Sequence, residues 1–269
     1  MNLFVTTLLL YYIVHICTAI ILKKFHVEWF YFGLIILIVV NIIVYILLNP
    51  TLLLIPYNLV IENTFPKKVF YSEKEKLEIF PTSKILEKNW KEIRNEYLNL
   101  ISKEEKENKS SDDNIGKRFV TETDEFWKGW NTYELRSFDK DNEKNLNKCK
   151  ILKRILKDDP NISTAFFSVV EPWKVIPSHY GPFKGILRFH LSLIIPPKEA
   201  GDCFISVDGE TYDWKDGEGI LFDESYKHFV KNDTPYSRVI LFIDVRRPVS
   251  FPWINNFLLY LMSISPYNS

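Results

Sequence analysis

The stretch GILRFHLSLII, residues 185–195, has the alternating pattern of a strand in a closed β structure. A period of two places Arg188, His190 and Ser192 on one face and only apolar side chains on the other. If the polar face pointed into a small barrel, its burial would cost several kcal/mol without an anion to pair with. The pattern therefore predicts an acidic ligand inside a barrel, and the alternative is a polar face exposed to solvent.

Four further short apolar runs lie around this stretch in the second half of the chain. They are ISTAFFSVV (162–170), CFISV (203–207), GILF (219–222) and SRVILFIDV (237–245), and turns with Gly, Pro and Asp separate them. Several short strands closing a chain predict a small barrel or sandwich. The expected fold class is therefore mainly β, with the core at residues 161–248.

Residues 82–160 are predicted to form a helical flank to this core. Apolar residues recur at steps of three and four over 86–100, which indicates an amphipathic helix. A shorter helix is expected at about 143–157. Residues 103–117 are charged and nearly free of large apolar side chains, so they are predicted to be a solvated loop.

The first 50 residues are predicted to form a transmembrane hairpin. Residues 3–22 and 29–48 are uncharged runs, each about the 20 residues that cross a hydrocarbon core. The six-residue link between them makes the two spans antiparallel neighbours. A connector at 51–81 follows. We therefore expect a multi-pass membrane protein with the lipid bilayer as a partner, while the lysines around the hairpin leave the side of the catalytic domain undecided.

The chain ends in a hydrophobic tail at residues 249–269. Its apolar part, Trp253 to Ile264, is about a dozen residues and too short to span a bilayer. The tail is therefore expected either to lie at the membrane interface or to pack on the barrel.

The charge balance argues against nucleic-acid binding, and the cysteine content argues against disulfides and thiolate metal sites. Lysine and arginine total 34, as do aspartate and glutamate, so the chain lacks the basic excess that nucleic-acid binding needs. Cys17, Cys149 and Cys203 are far apart and show no CxxC spacing. They therefore indicate neither a disulfide framework nor a thiolate metal site.

Two histidines of the β region are candidate metal ligands. His179 and His228 would suit iron, zinc or copper, and non-haem iron sites normally add one carboxylate. The usual position for it, two residues after the first histidine, is Gly181, so iron, zinc and no metal all stay open on these residues alone. Arg188 and Arg238 could each clamp a carboxylate, which favours a dicarboxylate ligand.

Several sequence blocks together resemble the aspartyl/asparaginyl β-hydroxylase family. The order and spacing of these blocks both match, over about Ile162 to Pro248. The blocks are FSV (167–169), PSHYGP (177–182), LRFHL (187–191), FDESYKH (222–228) and RVILFIDVRRP (238–248). The resemblance implies a double-stranded β-helix, or jelly-roll, with flanking helices. It also implies a dioxygenase that uses iron(II), 2-oxoglutarate and O₂.

The resemblance assigns the metal to the two histidines. His179 and His228 would hold iron(II). A glycine at position 181 is then expected, because protein-hydroxylating members of the resembled family use two histidines, with water in place of the carboxylate. Asp223 is a candidate partner for that water.

The resemblance also assigns the co-substrate site. Ser168 and Arg238 would bind the distal carboxylate of 2-oxoglutarate, and Arg188 and His190 would bind its metal-chelating end. Arg188 therefore joins the two histidines in the predicted catalytic set.

The substrate is less well determined. The N-terminal anchor, the segments Trp90–Arg94 and Phe126–Trp130, and the hydrophobic tail are similar to bacterial lipid A acyl-chain hydroxylases, whereas Gly181 is similar to the protein hydroxylases. We expect β-hydroxylation of Asp or Asn side chains in proteins, with a lipid acyl chain as the alternative. Two further alternatives are a non-catalytic ligand-binding jelly-roll and a zinc or manganese cupin, although the cupin would not need Arg188 and Arg238 together. The sequence does not indicate an oligomeric state.

Overall fold

The computed structural model describes residues 54–107 and 128–263, together with residues 33, 35, 36 and 38–40. The chain divides into two compact units, Met1–Leu53 and Leu54–Ser269. The six described residues of the first unit are helical.

The two predicted membrane spans, 3–22 and 29–48, lie almost entirely outside the described residues, as does most of the predicted charged loop at 103–117. Of the helices among the described residues, none is both long and apolar enough to cross a bilayer.

The second unit is built on two antiparallel sheets of ten strands in its described part. The strands are β1 (Trp130–Ser137), β2 (Lys140–Asp141), β3 (Ile162–Val170), β4 (Lys174–His179), β5 (Ile186–Ile194), β6 (Cys203–Val207), β7 (Glu210–Asp213), β8 (Gly219–Phe222), β9 (His228–Asn232) and β10 (Arg238–Arg246). The larger sheet has the order β2-β1-β3-β10-β5-β8 and the smaller sheet has the order β4-β9-β6-β7.

Strands β3 to β10 alternate between the sheets as a double-stranded β-helix requires. In the larger sheet, the neighbours are β3, β10, β5 and β8, which are the first, eighth, third and sixth of these eight strands. In the smaller sheet, the neighbours are β4, β9, β6 and β7, which are the second, seventh, fourth and fifth. The predicted mainly-β jelly-roll is therefore confirmed, and all five predicted strands are present.

The larger sheet buries two different faces. Leu187, Phe189 and Leu191 of β5 belong to the core that the helices cover. Phe242 of β10 belongs to the core between the two sheets, and His190 stacks at 5.4 Å from its ring. The polar face of residues 185–195 therefore points between the sheets, not into solvent, and burial of each Leu or Phe contributes about 1.5–3 kcal/mol to holding it there.

Seven helices surround the sheets in the described part of the second unit. They are α1 (Leu54–Thr64), α2 (Glu73–Ile79), α3 (Thr82–Lys88), α4 (Trp90–Glu107), α5 (Glu143–Leu146), α6 (Lys150–Asp158) and α7 (Pro252–Ser263). A short 3₁₀ helix covers Lys198–Ala200.

Both predicted flank helices are interrupted. The apolar pattern over 86–100 is buried as expected, but α3 and α4 are separate because the Asn89 side chain donates to the Ile85 carbonyl at 2.7 Å and ends α3. The second helix is divided into α5 and α6. The predicted helical flank also carries β1 and β2, which extend the larger sheet.

The predicted connector and tail both contain helices. Residues 51–81 include α1 and α2, and Ser72 and Glu75 form a capping box at the start of α2. In the tail, α7 buries Leu258, Leu259 and Met262. The tail therefore packs on the second unit, as one of the two alternatives predicted.

Candidate active site

The two candidate metal ligands lie side by side in the smaller sheet. His179 ends β4, His228 begins β9, and the two are register partners with ring centroids 4.2 Å apart. The Nδ1 of His179 lies 2.8 Å from the Pro177 carbonyl, and the Nδ1 of His228 lies 2.8 Å from the Tyr226 carbonyl. These contacts assign the proton to Nδ1 and the lone pair to Nε2, which is the arrangement that metal-binding histidines use.

Both imidazoles are kept neutral by their surroundings. Burial lowers the pKa of His179, and burial together with the nearby Arg188 charge lowers the pKa of His228 to about 3. Neutral imidazole is the form that binds a metal. Within the described residues, no group of three or more His, Cys, Asp or Glu side chains is arranged to hold a metal.

A buried carboxylate lies beside Gly181. The Gly181 amide donates to the Glu224 carbonyl at 2.9 Å, and a Cβ at position 181 would lie 2.0 Å from Cδ of Glu224. Burial raises the pKa of Glu224 to about 7, although the Arg188 charge acts in the opposite direction. The space beside the expected ligand position is therefore filled by the side chain of residue 224.

The Asp223 side chain has several partners of its own. Its carboxylate accepts from Arg247 Nη2 and from the backbone amide and Oγ of Ser225, at 3.0 and 2.6 Å respectively. The acid next to Gly181 is Glu224 instead. Asp223 as a partner for a water at the metal stays a prediction.

Arg188 joins two buried acids near the histidines. Its Nε lies 2.9 Å from Asp244 Oδ1, across the β5–β10 pair, and its Nη1 lies 2.8 Å from Glu224 Oε2. The guanidinium also stacks over the Phe242 ring at 4.1 Å. Burial raises the pKa of Asp244, and the Arg188 charge partly offsets this. The positive charge of Arg188 is thus already shared by two carboxylates.

Arg238 is a buried cation of a different kind. It is 1% exposed, and no carboxylate pairs with it among the described residues. Its Nη1 lies 3.4 Å from both O and Oγ of Ser168, which is long for a hydrogen bond, and its Nε has no partner in the described part of the chain. Its guanidinium stacks over the Trp214 ring at 4.6 Å, and burial lowers its pKa to about 10.

His190 lies in the same interior and is also unsatisfied. Among the residues that the structure describes, neither of its ring nitrogens has a hydrogen-bond partner, and the same holds for Ser192 Oγ and Trp214 Nε1. Burial and the charges of Arg238 and Arg188 lower the pKa of His190 well below its usual value. Each buried unsatisfied polar group costs about 1–3 kcal/mol, so this cluster is suited to a polar, anionic ligand.

One ring connects the two parts of the site. Phe222 lies 4.9 Å from the His190 ring and 6.5 Å from the His228 ring, measured between centroids. On the far side, Trp130 Nε1 donates to Ser168 Oγ at 2.8 Å. The cluster around His190 and Arg238 and the histidine pair are therefore neighbours inside one jelly-roll.

The structure brings the predicted site residues together in two groups. His179, His228 and Arg188 lie with Glu224 and Asp244. The other predicted residues, Ser168, His190 and Arg238, lie with Trp130 and Trp214.

Four of these side chains were not singled out as site residues from sequence: Trp130, Trp214, Glu224 and Asp244. Asp244 could have been found, because a period of two along β10 places it on the same face as Arg238. Glu224 and Trp214 lie outside regular strands, where no periodicity indicates the direction of a side chain.

Comparison with solved structures gives only weak similarities. A Cupin_2 domain of a transcriptional regulator from Enterobacter cloacae covers 45% of this chain and 99% of its own, with 11% identity and a TM-score of 0.31. A predicted oxalate decarboxylase from Thermotoga maritima covers 44% of this chain and 81% of its own, with 12% identity and a TM-score of 0.30. The fold assignment rests on the sheet topology.

Comparison with curated sequences gives closer relatives. An ornithine lipid ester-linked acyl 2-hydroxylase from Rhizobium tropici is 32% identical over 191 residues, which are 70% of this chain and 66% of that protein. The human aspartyl/asparaginyl beta-hydroxylase is 30% identical over 195 residues, which are 70% of this chain and 23% of that protein. The chain thus spans just under two thirds of the first relative and less than a quarter of the second.

The sequence profile of one family matches residues 87–248, which is more than half of the chain and includes every residue of both site groups. The chain therefore belongs to the aspartyl/asparaginyl beta-hydroxylase family, a family of hydroxylases.

Proposed function

We propose that the chain is a membrane-anchored, iron(II)- and 2-oxoglutarate-dependent dioxygenase that hydroxylates an unactivated carbon. The observation that carries the proposal is the buried cation Arg238, which lies with the unsatisfied nitrogens of His190 around the Trp214 ring, next to a neutral histidine pair. A buried cation without an acid partner favours a carboxylate ligand. Anchoring would come from the uncharged stretches 3–22 and 29–48.

His179 and His228 fit an iron(II) ion. Both are neutral, both have Nδ1 at a backbone carbonyl, and neither brings a competing charge to the metal. Glu224 would supply the negative charge on the side of Gly181. When bound, iron(II) and 2-oxoglutarate would supply the oxidising power, as O₂ is consumed, 2-oxoglutarate is converted to succinate and CO₂, and one oxygen atom enters a C–H bond.

Arg238 and Ser168 would bind the distal carboxylate of 2-oxoglutarate. The long contacts between these two residues leave donors that a carboxylate would satisfy, and Trp214 Nε1 is a further buried donor in this pocket. His190 would donate to or accept from the other end of the molecule. The surrounding apolar rings exclude water, which strengthens each of these bonds.

Arg188 is assigned a positioning role in addition to its predicted one. A direct bond to the chelating end of 2-oxoglutarate would require that end to compete with Glu224 or Asp244 for the guanidinium. Two buried acids near neutral histidines need a cation to remain charged, and Arg188 provides it. Its charge thereby keeps Glu224 in place beside Gly181.

For the substrate, we favour the acyl chain of a membrane lipid. The Rhizobium tropici relative, named as an acyl 2-hydroxylase of a lipid, aligns with most of this chain and about two thirds of its own length. The second candidate is an Asp or Asn side chain of a protein. It is favoured by Gly181, which resembles the protein hydroxylases, and by the human relative.

The test uses the full-length chain in detergent. Iron(II) and 2-oxoglutarate are added without oxygen, the charge-transfer absorption band is recorded, and succinate is measured after oxygen is admitted. We expect both signals from the wild type, and we expect His179→Ala and Arg238→Lys to lose them. The matched control is Arg136→Lys, a buried arginine in a different ion pair, with Asp141. A folded, iron-loaded wild type that gives neither signal would refute the proposal.

The substrate is tested separately. The active enzyme is incubated with total membrane lipid or with membrane protein, and mass spectrometry looks for the gain of one oxygen atom. Hydroxylated acyl chains would support the lipid assignment, and hydroxylated Asp or Asn residues would replace it by the protein assignment.

A further inference from the structure

We infer that the exposed faces of α1 and α7 lie on the surface of the lipid bilayer, where a membrane substrate reaches the site. The inference deepens the proposed function and rests on it for the membrane location of the substrate.

Helix α7 carries large apolar side chains on both of its faces. Its buried face packs on the second unit, as described above. Its outer face carries Trp253, Phe257 and Tyr260, which are 67%, 51% and 59% exposed and follow one another at steps of four and three. A surface helix of a globular protein normally has a polar outer face. An exposed aromatic stripe of this kind marks an interaction surface.

Helix α1 has a similar exposed face. Ile55, Leu59 and Val60 are each more than half exposed. Leu54 and Ile61 are buried on the other side of the helix. Both helices therefore present large apolar side chains outward.

Both helices hold the same segment, which joins β4 to β5. The Asn58 side chain of α1 donates to the Pro182 carbonyl and accepts from the Lys184 amide, each at 2.8 Å. The Asn255 side chain of α7 donates to the Gly185 carbonyl at 2.8 Å. Both helices thus pack on the segment that follows His179 at the end of β4. A surface resting on these faces would bring a lipid close to the histidine pair.

The composition of the chain identifies the bilayer as the occupant. Residues 29–61 and 248–269 contain no charged residue, in a chain that is 25% charged. The first of these stretches runs from the second predicted membrane span directly into α1. Exposed Trp and Tyr side chains are typical of the membrane interface, and a 12-residue helix is too short to span it. A helix of this kind lies in the plane of the interface.

The test measures contact with lipid at chosen positions of the full-length chain. The chain is reconstituted in vesicles of phosphatidylcholine and phosphatidylglycerol, in a Cys17→Ser background whose cysteines 149 and 203 are buried. Phe257→Cys and Leu59→Cys carry an environment-sensitive fluorophore. The matched control is Tyr236→Cys. Tyr236 is 55% exposed and lies just before Arg238, the end of β10 that is farther from α7. That strand is about 30 Å long, and its near end contacts α7 through Arg246 and Asn256.

We expect brominated lipids to reduce the fluorescence at positions 257 and 59 by about twofold or more, because the apolar face inserts to the depth of the acyl chains. The label at position 236 should keep its fluorescence. Equal quenching at all three positions, or none at 257 and 59, would overturn the inference. Cross-linking of position 257 between two copies without lipid quenching would also overturn it, because the face would then be an interface between copies.

Succinate release from the same samples separates this inference from the proposed function. Quenching without succinate release would support contact of α1 and α7 with the bilayer and refute the dioxygenase activity. Succinate release without quenching would support the dioxygenase activity and refute contact of α1 and α7 with the bilayer.

Discussion

The carboxylate of Glu224 occupies the space into which any side chain at Gly181 would project. A Cβ at position 181 would lie 2.0 Å from both Cδ and Oε2 of Glu224. Real Cβ atoms do not approach other heavy atoms so closely. The two positions are also joined by a backbone hydrogen bond of 2.9 Å. One carboxylate can therefore lie at this place, from residue 224 or from residue 181, but not both.

We predict that Gly181→Asp weakens metal binding instead of completing a three-ligand site. The new side chain would collide with Glu224 and add a second negative charge in a buried place. We expect the affinity for Mn(II), used as an oxygen-stable probe, to fall about tenfold or more, as for other losses of supporting groups around a metal. Titration followed by electron paramagnetic resonance measures this.

A double variant provides the control for this prediction. Gly181→Asp combined with Glu224→Gly removes the collision and returns one carboxylate to the site. Its Mn(II) affinity should recover to near the wild-type value. A double variant no better than Gly181→Asp would show that the two positions do not share one carboxylate site.

Asp244→Asn is expected to destabilise the fold. Asp244 is buried and binds Arg188 through two contacts, at 2.9 and 3.4 Å. Loss of one partner leaves a buried charge poorly compensated, and we expect the free energy of unfolding to fall by about 3 kcal/mol. Denaturant unfolding of the full chain in detergent measures the change. The control is Asp141→Asn, a more exposed partner of Arg136, for which we expect less than about 1 kcal/mol. Equal losses in both variants would contradict the prediction.

Trp214→Phe tests the co-substrate pocket. The substitution keeps an aromatic ring under Arg238, but it removes the buried Nε1 donor, which has no partner within the described chain. If that donor binds 2-oxoglutarate, its loss should weaken the Kd about fivefold, or about 1 kcal/mol. Calorimetry without oxygen measures the Kd. Trp90→Phe is the matched control, because Trp90 also stacks on an arginine, Arg94 at 4.9 Å. An unchanged Kd in Trp214→Phe would show that Nε1 does not bind 2-oxoglutarate.

The fold was predictable where strands are buried on both faces. β3, β8 and β10 of the larger sheet are largely apolar, and β5 is apolar on the face that the helices cover, because helices cover one side of the sheet and the smaller sheet covers the other. β4 and β9, which carry the two histidines, were not predicted as strands. The sequence KVIPSH contains a proline, and HFVKN is short and half polar. Their pairing depends on long-range contacts that local sequence does not show.

The site was predictable in part for the same reason. His190 and Arg238 lie on strands, where alternation fixes the direction of each side chain, and motif spacing identified His179 and His228. Glu224 lies in the turn between β8 and β9. A turn has no periodic face, so only the three-dimensional structure reveals that its side chain fills the space beside Gly181.

The last prediction concerns pH and a helix cap away from the site. Glu96 of α4 accepts hydrogen bonds from the amides of Ile151 at 2.7 Å and Leu152 at 3.4 Å, in the first turn of α6. It satisfies donors that the helix itself cannot. Burial nevertheless raises the pKa of Glu96 above its usual 4.5, because the cost of desolvation exceeds the effect of these bonds. The folded state therefore holds the proton more tightly than the unfolded state.

The sign of the pH dependence follows from this difference. The contribution of Glu96 is fully present below about pH 4.5 and is lost as the pH rises through the higher folded-state value. Glu96→Gln cannot ionise, yet its amide oxygen still accepts from the two backbone amides. Thermal unfolding of the full chain should therefore show a smaller loss of stability from pH 4.5 upward in Glu96→Gln than in the wild type. Glu92→Gln, exposed on the same helix, should follow the wild type. If all three curves run parallel, the cap of α6 does not depend on the charge of Glu96.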